Sequence, residues 1–288
     1  MSNRSGRLWQ IVTVVLVLLI LAGAAVVRLW HLTPPEVGIH YAPDTDEGAY
    51  AFSAQLMLQG HLPYRDYFAT LPPAGLYLFS AVLGVFYHLW GSLEGFMALR
   101  YMTVVYGVAS VLVVYFIGRE LGGRPAGLLA ALVLAADGVV IGQDRRAMLE
   151  APMNLLSALA MLVYLRAMLR EGASRRGMWA AGALSAAAVM VKSPGAVVPI
   201  VLVGMTLLRR RWKDALALIA GGVAMGLLLA GPFLVLSPEE FLKQVYVFQF
   251  VRPPDGVLAV EDRLREIWSY PYSWLTMRLC WLGAAAAL

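Results

Sequence analysis

Three acidic side chains crowd into four positions of one polar stretch: Asp44, Asp46 and Glu47 in Tyr41-Ala-Pro-Asp-Thr-Asp-Glu-Gly-Ala-Tyr50. Carboxylates grouped in this way can take a proton from an attacking hydroxyl, hold a hard cation, or cap a helix. Capping occupies one acid, so the stretch carries more carboxylates than a helix start needs. A second charged stretch reads Asp144-Arg145-Arg146-Ala-Met-Leu-Glu150. Arginine presents a planar fork of donors that suits phosphate and keeps its charge. Glu150 stands one step into an apolar run, where a carboxylate needs an arginine, a metal or a substrate hydroxyl as partner. The plainer alternative is an interfacial turn whose charges simply stay solvated. Lys192, at the end of the apolar run 177–191, either extends its ammonium to water or binds an anionic headgroup. Arg65 lies in Tyr64-Arg65-Asp66-Tyr67-Phe68, a mixture of aromatics with a charge pair.

The elements that must position these residues are apolar helices. Of the 288 residues, 60% are hydrophobic and only 14% charged, and mean hydropathy is +0.70. A soluble domain carries about 25% charged residues, and several runs here approach the ~20 residues needed to cross a bilayer core. The fold class expected is all-α, a polytopic integral membrane protein. Spans are expected near 8–29, 100–118, 125–142, 149–165, 177–191, 194–208, 214–236 and 272–288, within a single transmembrane domain covering 1–288. A signal peptide is the alternative for the first run, since Ala22-Gly23-Ala24 resembles a small-residue cleavage site, but the run is long enough to stay as an anchor. The apolar ending WLGAAAAL points to a fragment of a longer chain. After Asp46 and Glu47, apolar residues at Tyr50, Ala54, Met57 and Leu58 follow the spacing of an amphipathic helix, and Gly60 is a reasonable stop.

Charge arbitrates the difficult run, 73–90. Short cytoplasmic loops are enriched in Lys and Arg. If 73–90 crosses, with Arg4 and Arg7 inside, then Arg119, Arg124, Arg166, Arg170, Arg175, Arg176, Arg209, Arg210, Arg211 and Lys213 all fall outside. If it lies along the outer interface, all of them join Arg4 and Arg7 inside. The second arrangement obeys the rule; flipping the N-terminus outside is the rival rescue. In the preferred arrangement the 31–98 region, with juxtamembrane helices, and a 237–270 loop share the external face with the 143–150 stretch.

Several function classes fall away. The four histidines, His31, His40, His61 and His88, have no zinc spacing, and the lone Cys280 excludes intrachain disulfides. The net charge of +5 is spread over segment ends as a topology signal, so no nucleic-acid partner is expected. No Walker loop, dinucleotide fingerprint or nucleophile elbow is present. A divalent metal could bridge Asp46 and Glu150, but acids without histidine suit a hard cation only weakly, and no metal site is assigned.

The order of these pieces resembles the GT-C superfamily of membrane glycosyltransferases, in the branch of protein O-mannosyltransferases and lipid A aminoarabinose transferases (glycosyltransferase family 39-like). The residues that carry it are Asp46-Glu47-Gly48-Ala49-Tyr50, Leu62-Pro63-Tyr64-Arg65-Asp66-Tyr67-Phe68, Pro72-Pro73, the stretch from Gly118 to Gly127, Arg145 with Glu150, and Lys192. The resemblance implies a GT-C helix bundle and a bacterial-type plasma (inner) membrane location with the active site outside. It also implies a polyprenyl-phosphate sugar as donor and a protein, lipid or glycan acceptor. On that basis Asp46 is the candidate base, Glu47 and Glu150 complete a catalytic set, and Arg65, Arg145 and Lys192 bind the donor phosphate. The chain departs from the pattern before the paired prolines, where Ala69-Thr70-Leu71 replaces the Lys or His of many relatives. A transporter or flippase for a lipid-linked substrate is the main alternative, and a non-catalytic membrane subunit the second. Transporters place ionisable groups near the bilayer midplane, whereas here the acids sit in loops, apart from Asp137.

Overall fold

A computed structural model describes residues 2–30, 32, 45–169 and 174–251. Asp44, most of the 31–44 stretch, Arg170, the 252–270 part of the second loop, Cys280 and the 272–288 span lie outside the described residues. The described residues are helical almost throughout, as the composition requires. Among the described residues, four helices are long and apolar enough to cross a membrane. They are α1 (Ser2–Leu29), α4 (Ser92–Ala135), α6 (Glu150–Leu169) and α9 (Trp212–Leu236). Between them come α2 (Thr45–Leu58), α3 (Pro73–Trp90), α5 (Gly138–Asp144), α7 (Arg175–Val191) and α8 (Val197–Leu208), the last entered through a 3-10 turn at Ser193–Ala196. A short helix α10 (Pro238–Leu242) follows α9.

At about 1.5 Å per residue, the 44 residues of α4 would reach about 66 Å as a straight rod, twice the ~30 Å of a hydrocarbon core. Instead the helix folds back on itself. Gly122 and Gly123 leave the helical region, and Gly123 adopts φ 77°, which glycine tolerates without a Cβ penalty. The two arms then close tightly. A Cβ on Gly118 would sit 2.8 Å from the Ala126 carbonyl oxygen, and one on Gly127 2.6 Å from that of Tyr115. In an unbroken helix these groups would be well over 10 Å apart. The result is a helical hairpin whose arms, 92–121 and 124–135, both pack on α1 through Val111, Tyr115 and Ala131.

The apolar run 125–142 is not one helix. It stops at Ala135, and Asp137 accepts hydrogen bonds from the amides of Val139 (2.9 Å) and Val140 (3.0 Å) to start α5. An acid that caps a new helix satisfies amide donors that would otherwise be stranded. The first part of the 237–270 region, expected as loop, is also helical. It is drawn into order by Phe241 and Val245, which are buried against Tyr64 and Phe233.

Contacts along the bundle give it two distinct ends. Arg166 bonds Glu120 at 2.8 Å, and the Arg211 guanidinium meets the Met168 sulfur at 3.0 Å. These contacts gather the α4 turn, the end of α6 and the α8–α9 turn, with Arg119, Arg124, Arg209, Arg210 and Lys213, at one end. At the other end, Arg145 donates to the carbonyl of Trp30 just beyond α1, Glu47 of α2 reaches the α5–α6 turn, and Lys192 after α7 reaches Glu150 at the start of α6. Helix α3 keeps both its ends here. Gly75 lies against Leu149 and the Val191 carbonyl, and Leu83 and Tyr87 lie against Gly95. It begins with Pro73 at a position where a missing amide is harmless and ends at Gly91, whose φ of 108° turns the chain into α4.

Candidate active site at the carboxylate end

Asp46 occupies the first turn of α2, where the exposed amides favour an acid, and its side chain is open to solvent. One turn later on the same face, the Tyr50 hydroxyl donates to its Oδ2 at 3.3 Å. Tyr50 is buried, its ring edge-on to Phe79. The Lys192 ammonium stands 5.7 Å from the centroid of that ring, a cation–π placement worth about 0.5–2 kcal/mol. Lys192 also donates to Glu150 Oε1 at 2.5 Å. Both partners suit their positions, because Lys192 caps the C-terminus of α7 and Glu150 lies in the first turn of α6. Asp46, Tyr50, Lys192 and Glu150 thus form one continuous chain of contacts across three elements. Glu150 keeps its other oxygen, Oε2, buried with no hydrogen-bond partner among the described residues.

Glu47 points the other way. It is 1% exposed, receives a bidentate fork from Arg100 (2.9 and 2.8 Å), and accepts from the Ala147 amide at 2.5 Å. With both oxygens engaged, it braces α2 against α4 and the α5–α6 turn and so fixes the direction in which Asp46 emerges. The adjacent acids have separate tasks.

The three cations expected at a donor phosphate are not brought together. Lys192 joins the Asp46 chain. Arg145 bonds the Trp30 carbonyl. Arg65 is exposed and forks onto Asp66 (2.8 and 3.1 Å), which also accepts from the Leu62 amide. The Arg65 fork and that amide hold the Asp66 carboxyl down at about 2. The loop around Arg65 is firmly seated: the Tyr64 hydroxyl donates to the Leu71 carbonyl at 2.6 Å, and the Gln244 side chain bridges the Ala69 amide and the Tyr64 carbonyl. Among the described residues no three His, Cys, Asp or Glu side chains gather into a metal-binding group.

Two elements of the site were not evident from the sequence. Arg28, inside the first apolar run, is fully buried and bonds Asp144 at 2.8 Å. Burial pushes the Asp144 carboxyl up to about 6, against the opposing pull of Arg28. Asp144 also needs Gly107, because a Cβ there would lie 2.2 Å from its Oδ2. The only sequence hint was an arginine within a span, which is costly without a partner. Tyr50 is the second. Its spacing from Asp46 marked it as an apolar face residue and concealed its hydroxyl.

Sequence and structure comparisons bear on this geometry. Residues 92–231, just under half of the chain, match the dolichyl-phosphate-mannose-protein mannosyltransferase family. The match includes Glu150 and Lys192 and leaves out Asp46. No curated protein sequence matches the chain. Among solved structures, ArnT from Cupriavidus metallidurans in the apo state superposes with a TM-score of 0.65 at 21% identity, over 99% of this chain and 52% of that one. The same protein bound to undecaprenyl phosphate gives 0.57 at 22% identity, over 84% and 43%. The S. cerevisiae Pmt1–Pmt2 complex bound to the sugar donor gives 0.63 at 18% identity, over 79% and 34%. This is the GT-C fold. These matches are to proteins of the branch that the ordered short motifs resemble. With four helices able to span among the described residues, the chain is an integral multi-pass membrane protein. It covers between a third and about half the length of these solved proteins.

Proposed function

We propose that this chain carries the catalytic end of a membrane glycosyltransferase, which moves a sugar from a polyprenyl-phosphate donor to an acceptor hydroxyl at the external face of a bacterial-type plasma membrane. The observation that carries the reading is the contact chain from Asp46 through Tyr50 and Lys192 to Glu150, which joins two acids about a hundred residues apart at one end of a GT-C bundle. The family match supports transferase chemistry, and related solved proteins are held with a sugar donor or undecaprenyl phosphate. The arginine-rich opposite end supports sidedness, since such residues favour the cytoplasm.

In the proposed reaction the acceptor oxygen attacks the anomeric carbon while Asp46 takes its proton. The bond from that carbon to the phosphate oxygen breaks, and the configuration inverts. The departing lipid phosphate gains negative charge, which a fixed cation stabilises most in the transition state. Of Arg65, Arg145 and Lys192, the geometry favours Lys192, because it alone touches the Asp46 chain. Phosphate leaves readily, so the second carboxylic acid of a soluble glycosidase is not required; Glu150 instead holds Lys192. The acceptor is a protein, lipid or glycan hydroxyl.

General base catalysis contributes about 10²–10⁴-fold. Asp46→Asn is therefore expected to lower transfer from polyprenyl-phosphate sugars by at least about 10²-fold, with membrane expression and donor binding intact. Normal turnover by that variant would remove Asp46 from the mechanism.

A further inference from the structure

At the basic end, cations outnumber the acids that could meet them. Among the described residues Glu120 is taken by Arg166 and Asp214 by Arg211. Arg175, Arg176, Arg209, Arg210 and Lys213 are exposed there with no carboxylate partner. A topology signal requires only that such residues lie on one side of the membrane; it does not require them to converge. These five do. Helices α7 and α9 run parallel in near-backbone contact: a Cβ on Gly182 would lie 1.9 Å from the Leu218 carbonyl oxygen, one on Gly221 2.0 Å from that of Trp179, and further along Gly226 faces Met190. Two turns back from that crossing, α7 opens on Arg175 and Arg176 and α9 on Trp212 and Lys213, so the three cations stand at one level. The α8–α9 turn adds Arg209 and Arg210. It is pinned in place, because the Arg211 guanidinium bonds Asp214 at 2.7 Å and meets Met168 of α6. Gly177 of α7 abuts Ala167, the residue before Met168.

Beyond the cations the surface turns apolar. Trp212, Leu216, Ile219 and Val223 are exposed and recur at helical spacing along α9, and Trp179 is exposed one turn into α7. Tryptophan at the head of such a stripe belongs at the headgroup level of a bilayer. Guanidinium forks above it suit a phosphodiester, and the stripe below suits an acyl chain. The helices themselves do not call for these arginines. The first turn of α7 carries two and no acid, where the backbone favours the reverse. The α4 turn is the contrast within the same end: Arg119 and Arg124 lie on either side of an acid, Glu120, in a stretch without tryptophan.

We propose that the surface formed by the opening turns of α7 and α9 and the α8–α9 turn binds the headgroup of an anionic diacyl phospholipid, whose acyl chain lies along the Trp212–Val223 stripe. The inference needs the chain to span a membrane and is independent of the transfer reaction. Each cation near an anionic lipid surface contributes roughly 5-fold in affinity, so several at one level select charged over zwitterionic lipid, and salt weakens the selection.

The test is tryptophan quenching in nanodiscs. The full chain is placed in phosphatidylcholine discs that carry a small fraction of lipid brominated near the headgroup end of its acyl chains. Quenching of Trp179 and Trp212 is read as the difference between the wild type and a chain with Trp179→Phe and Trp212→Phe. That difference is expected to be at least about 2-fold larger with brominated phosphatidylglycerol than with brominated phosphatidylcholine at equal fraction. Arg209→Gln, Arg210→Gln and Lys213→Gln together should abolish the excess, whereas Arg119→Gln with Arg124→Gln should leave it. Unlabelled phosphatidylglycerol should compete it away in the wild type and unlabelled phosphatidylcholine should not, a comparison that stands even where a neutralised variant fails to fold. Equal quenching by the two brominated lipids overturns the proposal, as does an excess that outlasts the triple neutralisation or falls equally with the α4-turn pair. Loss of the excess on adding inorganic phosphate would assign the cations to a soluble anion, and stronger competition by undecaprenyl phosphate than by phosphatidylglycerol would assign them to a prenyl lipid; either overturns it.

Discussion

The two ends of the bundle handle charge in opposite ways. At the carboxylate end, Glu47 with Arg100 and Asp144 with Arg28 are withdrawn from water, and each cross-links segments distant in sequence. At the basic end, Arg166 and Glu120 meet at the same 2.8 Å but remain 42% and 32% exposed. Distance is equal; solvation is not. Exposed pairs contribute little, whereas breaking a buried pair strands a charge in a low-dielectric setting. The carboxylate end thus holds its side chains in fixed directions, whereas the Arg166–Glu120 pair at the basic end stays solvated. Asp46 is the open acid beside a buried one, and its direction depends on that neighbour.

Substitutions sharpen this contrast. The largest stability effect is expected for Arg100→Ala, which leaves Glu47 buried and uncompensated at a cost of about 3–5 kcal/mol. In detergent it should appear as loss of monodisperse protein, and replacing Glu47 and Arg100 together by leucine should recover much of the loss. A mild effect of Arg100→Ala alone would show that water reaches Glu47.

Asp144 comes next. Its folded carboxyl is raised from 3.8 to about 6, so the folded state holds that proton more tightly than the unfolded one. The associated stabilisation is full below pH 4 and is lost as pH rises through about 6. Melting temperature should therefore decline across that window, and Asp144→Asn should flatten the decline. A melting temperature that instead rises between pH 4 and 6, equally in both proteins, would assign the pH response to other groups. The smallest effect belongs to the basic end: Glu120→Gln is expected to change stability by no more than about 1 kcal/mol, read as an almost unmoved melting curve.

Much of this arrangement was legible in the sequence, for definable reasons. Helical membrane class follows from composition. The GT-C resemblance follows from short motifs whose order survives even where Ala69-Thr70-Leu71 departs from it. Asp46, Glu150 and Lys192 stood out because ionisable groups beside apolar runs need a purpose. What stayed hidden was pairing at long range. Nothing local shows that Glu47 meets Arg100, that Arg28 meets Asp144 across 116 positions, or that Gln244 meets Ala69 across 175. Glu47 and Asp46 are indistinguishable as neighbours in a string, yet successive positions on a helix point about 100° apart, so one is buried and the other open. Breaks within apolar runs were hard to see for a related reason. Gly122-Gly123 and Asp137 act through backbone angles and capping, and hydropathy does not register either. Helical order in 238–251 arises from packing of Phe241 and Val245 on a distant loop, which local polarity obscures.

The two-ended arrangement is most directly tested by sidedness. Single cysteines at Asp46, Glu150, Arg119 and Arg209, in a Cys280→Ser background, are exposed to an impermeant thiol reagent on intact cells and again after permeabilisation. Labelling of positions 46 and 150 from outside, with 119 and 209 reactive only after permeabilisation, is the expected result. If position 46 or 150 labelled only after permeabilisation while the other labelled from outside, the two acids would lie on opposite faces, and no common active site could contain them.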